Sequence, residues 1–209
     1  MTQKYSEEFI DKHRHINVDY DWWDAVYDDF KQICEILGIE LDRREPSFSG
    51  FWSQGDGASW TGRYRANGLS LDTPSGHIAT YDQAPAKIRE YAPQDETLHS
   101  IADELCLLGR IYHPVYAKIE RPYGSNYVHS NTMYVTEWEY YDEEIGFEGV
   151  DTEIAHHIEE TLIAQFRALA DWLYKSLERE YDYLTSDEAV IETLEANEIE
   201  EEEEEEEEA

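Results

Sequence analysis

Apolar residues recur along the chain at two spacings, helical and alternating, and their succession predicts the architecture. Trp22, Val26, Phe30, Ile33 and Leu37 fall at steps of three and four, which predicts a helix beginning near Asp19 or Asp21 and ended by Gly38. Asp21, Asp24, Asp28 and Asp29 then lie on its wet side and early turns, where the helix dipole favours anions. Two strand-like runs follow, residues 47–53 and 58–65, around Gln54-Gly55-Asp56-Gly57. Gly and Asp supply the positive φ angles of a tight turn, so a β-hairpin is expected. Alternation pairs Phe48 with Trp52 and Trp60 with Tyr64, and it puts Arg63 and Arg65 on the face opposite Tyr64.

Residues 66–92 are punctuated by Gly, Pro and Ala, with a short helix over Pro85–Tyr91. A further helix opens at Pro93-Gln94-Asp95-Glu96, carries Leu98, Ile101, Leu105 and Leu108 on one side and ends near Gly109. Two strands are then expected, Val115–Glu120 and Tyr127–Tyr140. In the second, strict alternation sets Tyr134, Thr136, Trp138 and Tyr140 on one face, with Val135, Glu137, Glu139 and Tyr141 on the other. The strongest periodic signal starts near Asp151: Ile154, Ile158, Leu162, Phe166, Leu169, Leu173, Leu177 and Tyr181 mark a long amphipathic helix. A last helix, Ser186–Asn197, has the Ser-Asp-Glu start of an N-terminus. The pattern predicts one α+β domain over residues 1–197, three to four helices packed on a small antiparallel sheet, followed by a disordered or fraying acidic tail over 198–209.

Composition changes this picture through charge. The chain holds 49 Asp and Glu against 16 Lys and Arg, a formal charge of −33. Nucleic acid and anionic membranes are excluded as direct partners, because phosphate contact and counterion release need bases. The charge is uneven: residues 1–42 sum to −7, residues 43–121 to −1, residues 122–199 to −16, and the Glu200–Glu208 run to −9. No Lys or Arg occurs between Arg121 and Arg167, a window holding ten acids. Adaptation to high salt would spread acids over every element, so the imbalance points to a directional surface. At 13% aromatic, with 16 Tyr and 6 Trp, the chain also has what a core and an interface need.

Motifs for chemistry are scarce. The stretch Gly50–Gly62 lacks the Lys-Ser/Thr of a phosphate loop and the third glycine of a dinucleotide fingerprint. Its small residues beside aromatics make a candidate ligand cleft of Trp52, Gln54, Asp56, Ser59 and Trp60, although turn chemistry alone explains the glycines. His13, His15, His156 and His157 match no recognised metal spacing. Cys34 and Cys106 sit among aliphatic residues and read as core thiols. No Gly-x-Ser-x-Gly elbow is present, and paired carboxylates are too abundant for any pair to be diagnostic. No catalysis, cofactor or metal is expected. The N-terminus has no basic stretch followed by an apolar run, and no segment approaches the ~20 apolar residues of a membrane span, so a cytoplasmic protein is expected.

Several motifs together carry a resemblance: Trp22-Trp23-Asp24-Ala25-Val26-Tyr27-Asp28-Asp29-Phe30 with the run from Ile33 to Asp42, the stretch Ser47–Ser59, the Tyr91-Ala92-Pro93-Gln94-Asp95 start, and Leu177–Val190. In these the chain resembles small phage and prophage proteins labelled "antitoxin of toxin–antitoxin stability system". The resemblance implies a phage or mobile-element origin and an accessory role, and it transfers no catalytic residues. The oligo-Glu ending departs from that pattern.

Charge and resemblance lead to the same expectation. The protein binds and inhibits a basic, nucleic-acid-binding host protein, such as a nuclease, restriction or CRISPR component. Its carboxylates would imitate the phosphates that repeat every ~3.4 Å along a DNA strand. The expected contact surface is Glu137, Glu139, Asp142, Glu143, Glu144, Glu148, Glu159 and Glu160, with Tyr140 and Tyr141 as aromatic anchors. The alternatives are an antitoxin that neutralises a cognate toxin with its acidic C-terminal segment, and a ligand-binding or enzymatic domain built on the Gly-rich hairpin.

Overall fold

The computed structural model describes residues 4–66, 83–112, 115–122, 127–140 and 152–201. It is α+β, and the chain gathers into two compact units: residues 27–175, and residues 1–26 with 176–209. The division falls inside two helices, after Val26 and before Ser176.

The larger unit is organised on a four-stranded antiparallel sheet. Its strands are β1 (Ile39–Leu41), β4 (Gly62–Arg65), β5 (Val115–Glu120) and β6 (Tyr134–Tyr140), in the order β1-β4-β5-β6. A separate two-stranded ribbon joins β2 (Ser47–Phe48) to β3 (Ala58–Ser59). The expected hairpin is therefore short, and its second run divides: β3 closes the hairpin while β4 crosses into the main sheet. Gly62 makes that crossing feasible, since a Cβ there would lie 2.3 Å from the Glu40 carbonyl oxygen.

Cross-strand register explains which residues face the core. Ile39, Tyr64, Ala117, Ile119 and Val135 are buried and follow one another across the sheet through the pairs Ile39↔Tyr64, Tyr64↔Ala117 and Ile119↔Val135. Strict alternation along β6 fails, because the register shifts between Lys118 and Ile119: Lys118 pairs with Glu137, whereas Ile119 pairs with Val135. This bulge at Thr136 puts Val135 and Trp138 on the same face, where alternation had separated them.

Helices cover that face. Helix α4 (Glu96–Ile111) buries Leu98, Ile101, Ala102, Leu105, Cys106 and Leu108, close to the expected stripe. Helix α5 (Thr152–Leu184) buries Ile158, Leu162, Phe166, Leu169, Ala170 and Leu173 within this unit. The Phe166 ring meets Trp60 and Tyr64 edge-on, at 5.4 and 5.5 Å between centroids, and all three are fully buried. Helix α2 (Asp24–Leu37) buries Phe30, Ile33, Cys34 and Leu37. Burial pushes the Cys34 thiol well above its usual range, as expected of an inert core thiol. Asp95 caps α4 by accepting from the Leu98 amide at 3.0 Å, and the Trp172 indole of α5 donates to its other oxygen at 2.6 Å. Helix α3 (Ala84–Tyr91) is tied to α4 by a two-pronged Arg89–Asp103 pair and to α2 by the Tyr91 hydroxyl on Asp29.

The smaller unit is helical. It contains α1 (Glu7–Lys12), α6 (Asp187–Ala196), the end of α5 from Ser176 and the first turn of α2. Ser6 and Ser186 cap α1 and α6 with their hydroxyls. Tyr5, Ile10, Val190 and Leu194 form its core, with Phe9, Ile16, Ile191 and Ile199 packed against it. Asn17 binds the unit together: its amide donates to the carbonyls of Leu184 and Ala189, and its oxygen accepts from Thr193 at 2.7 Å. The chain remains held as far as Glu201, whose carboxylate accepts from the Ser6 amide at 2.8 Å, while Tyr5 donates to the Ile199 carbonyl at 3.0 Å.

Candidate protein-binding surface

The acids expected to make a contact surface are placed on two elements. Glu137, Glu139 and Tyr140 lie on β6, and Glu159 and Glu160 lie on the outward side of α5, next to the buried Ile158. Tyr141, Asp142, Glu143, Glu144 and Glu148 fall outside the described residues. Glu159 and Glu160 are both exposed, and adjacent helical residues diverge by ~100°, so they present a broad anionic side and no single cluster. Glu160 accepts from His156 one turn earlier, at 3.1 Å.

On β6 the window is base-free in sequence and not in space. Glu137 is 65% exposed, yet its carboxylate stands 3.9 Å from the Lys118 ammonium on β5, which also pairs with Glu120 at 2.8 Å. Those carboxylates raise the Lys118 pKa, Glu120 foremost through its hydrogen bond. Arg63 pairs in register with Lys118 and Arg65 with Tyr116, so bases run along the middle of the outer sheet face. Glu40 and Asp42 near β1, with Glu120 and Glu137 beyond, surround them. The outer face of the sheet is thus close to balanced. Other bases of this unit are also engaged locally, Lys31 with Asp28 at 2.9 Å and Arg121 with Glu45 at 2.8 Å.

The five residues of the Gly-rich hairpin do not share one opening. Ser59 and Trp60 are fully buried, while Trp52 is 77% exposed and Gln54 is exposed. Asp56 is half-buried and accepts from the Ser53 amide at 2.7 Å, which closes the loop on itself. Ser49 accepts from the Gly57 amide at 3.0 Å, and the Tyr174 hydroxyl of α5 donates to the Gly50 carbonyl at 3.1 Å. Phe51 is wedged against Phe48 and Tyr174, at 5.7 and 5.5 Å.

One polar cluster escapes sequence reasoning. The Arg121 guanidinium, just beyond β5, donates to Ser59 at 2.9 Å, to Glu45 at 2.8 Å and to Ser47 at 3.3 Å. It fastens the β2–β3 ribbon to the main sheet. Burial pushes the Glu45 carboxyl up, and Arg121 opposes that shift. Glu45 and Arg121 are 76 residues apart and neither belongs to a motif, so no local signal marks the pair.

Among the described residues no group of three or more His, Cys, Asp or Glu is placed to hold a metal ion, and no helix is long and apolar enough to cross a membrane. These features define an acidic α+β protein with exposed carboxylates on α5 and one loop tipped by an exposed Trp. Residues 22–187 match a family described as a domain of unknown function, DUF8835, and the chain belongs to that family. No curated protein and no solved structure matches it.

Proposed function

We propose that the protein is a phage or mobile-element accessory protein that binds and inhibits a basic, nucleic-acid-binding host protein, such as a nuclease, restriction or CRISPR component, through a DNA-like display of carboxylates. The observation that carries this reading is the exposed side of α5, where Glu153, Glu159 and Glu160 project with no Lys or Arg between Arg121 and Arg167. Exposed carboxylates steer a cationic partner and make its association fast and salt-sensitive. Glu137 contributes less than its sequence context suggests, because Lys118 partly neutralises it. The test is affinity capture from host lysate at low and high salt, with wild type beside a variant carrying Glu137→Lys, Glu139→Lys, Glu159→Lys and Glu160→Lys. Salt-sensitive capture of a basic nucleic-acid-binding protein, lost in the variant, is the expected result. Equal capture by both proteins overturns the assignment of this surface.

A second reading, neutralisation of a toxin by the acidic C-terminal segment, is favoured by one observation: Glu201, inside the Glu200–Glu208 run, is seated on Ser6, so the start of that run has a fixed place in the helical unit. Deleting residues 202–209 separates the two, since it keeps Ile199 and Glu201 in place. Loss of inhibition on that deletion supports the antitoxin reading, and retention supports the surface on α5.

A further inference from the structure

The loop between β2 and β3 is built to hold the Trp52 ring largely exposed at its tip. Residues 49–57 are pinned at several points: Asp56 on the Ser53 amide, Ser49 on the Gly57 amide, Tyr174 on the Gly50 carbonyl, and Phe51 between Phe48 and Tyr174. The Arg121 cluster fixes the base of the same ribbon through Ser47 and Ser59. Gly55 turns with φ +97°, and Tyr127, itself 66% exposed, lies along it with ring atoms 3.5 Å from where a Cβ would stand. At the tip Trp52 is 77% exposed, its ring edge-on to Phe51. A loop this constrained has already met the ordering cost of binding, and Trp is the residue most enriched among interface anchors.

Charge decides what such a ring receives. The stretch from Glu45 to Gly62 contains no Lys or Arg, and the whole chain carries −33, so anions are repelled and cations drawn in. The face of an indole attracts cations, most often guanidinium groups. One oxygen of Asp56 is committed to Ser53, which leaves the other on a half-exposed carboxylate beside the residue that follows Trp52 in sequence. We infer that the Trp52 loop docks an arginine side chain of the basic partner, the guanidinium stacking on the indole and pairing with the Asp56 carboxylate. This inference rests on the proposed basic partner and locates a specific anchor for it, away from the carboxylates of α5.

Hexa-arginine, hexa-lysine and a neutral oligosaccharide, maltohexaose, serve as probes, with binding followed at the Trp52 indole N–H by NMR and by calorimetry. Hexa-arginine is expected to shift that resonance and to bind more tightly than hexa-lysine. Trp52→Ala should weaken it about two- to five-fold, with Trp52→Phe retaining part of the affinity. Asp56→Asn keeps an oxygen for the Ser53 amide, so the loop stays closed, and it should weaken hexa-arginine while removing the preference over hexa-lysine. An unmoved Trp52 resonance, or equal affinity in Trp52→Ala, overturns the inference. A larger response to maltohexaose also overturns it, in favour of a neutral ligand. The carboxylates of α5 are tested separately with Glu159→Lys and Glu160→Lys together. Loss of hexa-arginine binding there with Trp52 unmoved sinks the anchor and leaves the acidic surface standing, whereas the converse sinks the surface and leaves the anchor.

Discussion

The two units spend their charge differently. The described part of the helical unit, residues 4–26 and 176–201, carries 16 acids against 4 bases, while the described part of the sheet-based unit carries 19 against 12 over more than twice the length. In the larger unit bases are interleaved with acids across the sheet and between helices, as at Lys118 with Glu120 and Glu137, and at Arg89 with Asp103. In the smaller unit two of the four bases act as clasps, Lys4 on Glu195 and Arg14 on Asp11 and Asp187, and the acids outnumber the bases four to one among the described residues. A count along the sequence locates the base-free window at residues 122–166, but the densest uncompensated acidity among the described residues belongs to the helical unit.

The units also differ in what holds them, and core truncations expose that first. Phe166→Ala removes the ring shared by Trp60 and Tyr64 and should cost about 3–5 kcal/mol in urea unfolding. Leu194→Ala, in the smaller core with Tyr5, Ile10 and Val190, should cost about 2–4 kcal/mol. If the two losses appear in one common transition, the units unfold together; separate transitions by near-UV and far-UV circular dichroism would show that each has its own stability.

Arg121→Ala comes next, because it strands a mostly buried Glu45 and takes a donor from the fully buried Ser59. The expected loss is roughly 2–4 kcal/mol, below that of a fully buried pair because Arg121 retains some exposure. Glu45→Gln in the same background should recover part of it, since a neutral amide tolerates burial better. No recovery would mean that the guanidinium acts mainly through the serines.

Much of this architecture is legible in the sequence where periodicity is local. The α4 stripe, the β5 strand and the Ser186 start of α6 all follow from spacing and capping chemistry. Two things are not legible, and for physical reasons. Helix α1 is six residues long, too short for a periodic signal, and its stability comes from Val190 and Leu194 far along the chain. The Thr136 bulge is set by pairing with β5, so no alternation rule applied to β6 alone finds it, and Val135 and Trp138 are misassigned to opposite faces. The candidate surface suffers likewise: Lys118 reaches Glu137 only through the fold. Of the hairpin residues, turn chemistry explains Asp56, but nothing local says that Trp60 is buried and Trp52 exposed.

A smaller effect is tied to pH in the larger unit. Tyr91 donates to Asp29, and that hydrogen bond, with some burial, pushes its pKa up to about 12. The folded state therefore favours the protonated phenol. The stabilisation is fully present below the ordinary value near 10 and is lost as pH rises toward about 12. Ultraviolet titration should show one tyrosine fewer ionising above pH 11 in Tyr91→Phe, and the alkaline decline in stability should flatten in that variant. An unchanged alkaline limb would assign the decline to other groups.

The smallest effect tests the charge contrast itself. Raising salt from 0.1 M to 1 M shortens the Debye length from about 10 Å to about 3 Å, which screens repulsion among exposed carboxylates and weakens exposed ion pairs together. In the helical unit the pairs are few and exposed, so each contributes at most about 1 kcal/mol, while 16 acids against 4 bases repel across every turn of α1 and α6. Repulsion should dominate, and amides of α6 should gain protection from hydrogen exchange with added salt. In the sheet, where Arg63, Arg65 and Lys118 alternate with Glu40, Glu120 and Glu137, the two effects oppose one another more evenly. Salt also strengthens apolar burial in both units, so the informative quantity is the difference between α6 and β5, expected at about 0.5–1 kcal/mol in favour of α6. Equal gains would mean that the carboxylates of the helical unit are spaced widely enough to ignore one another, and its acidity would then bear on partners alone.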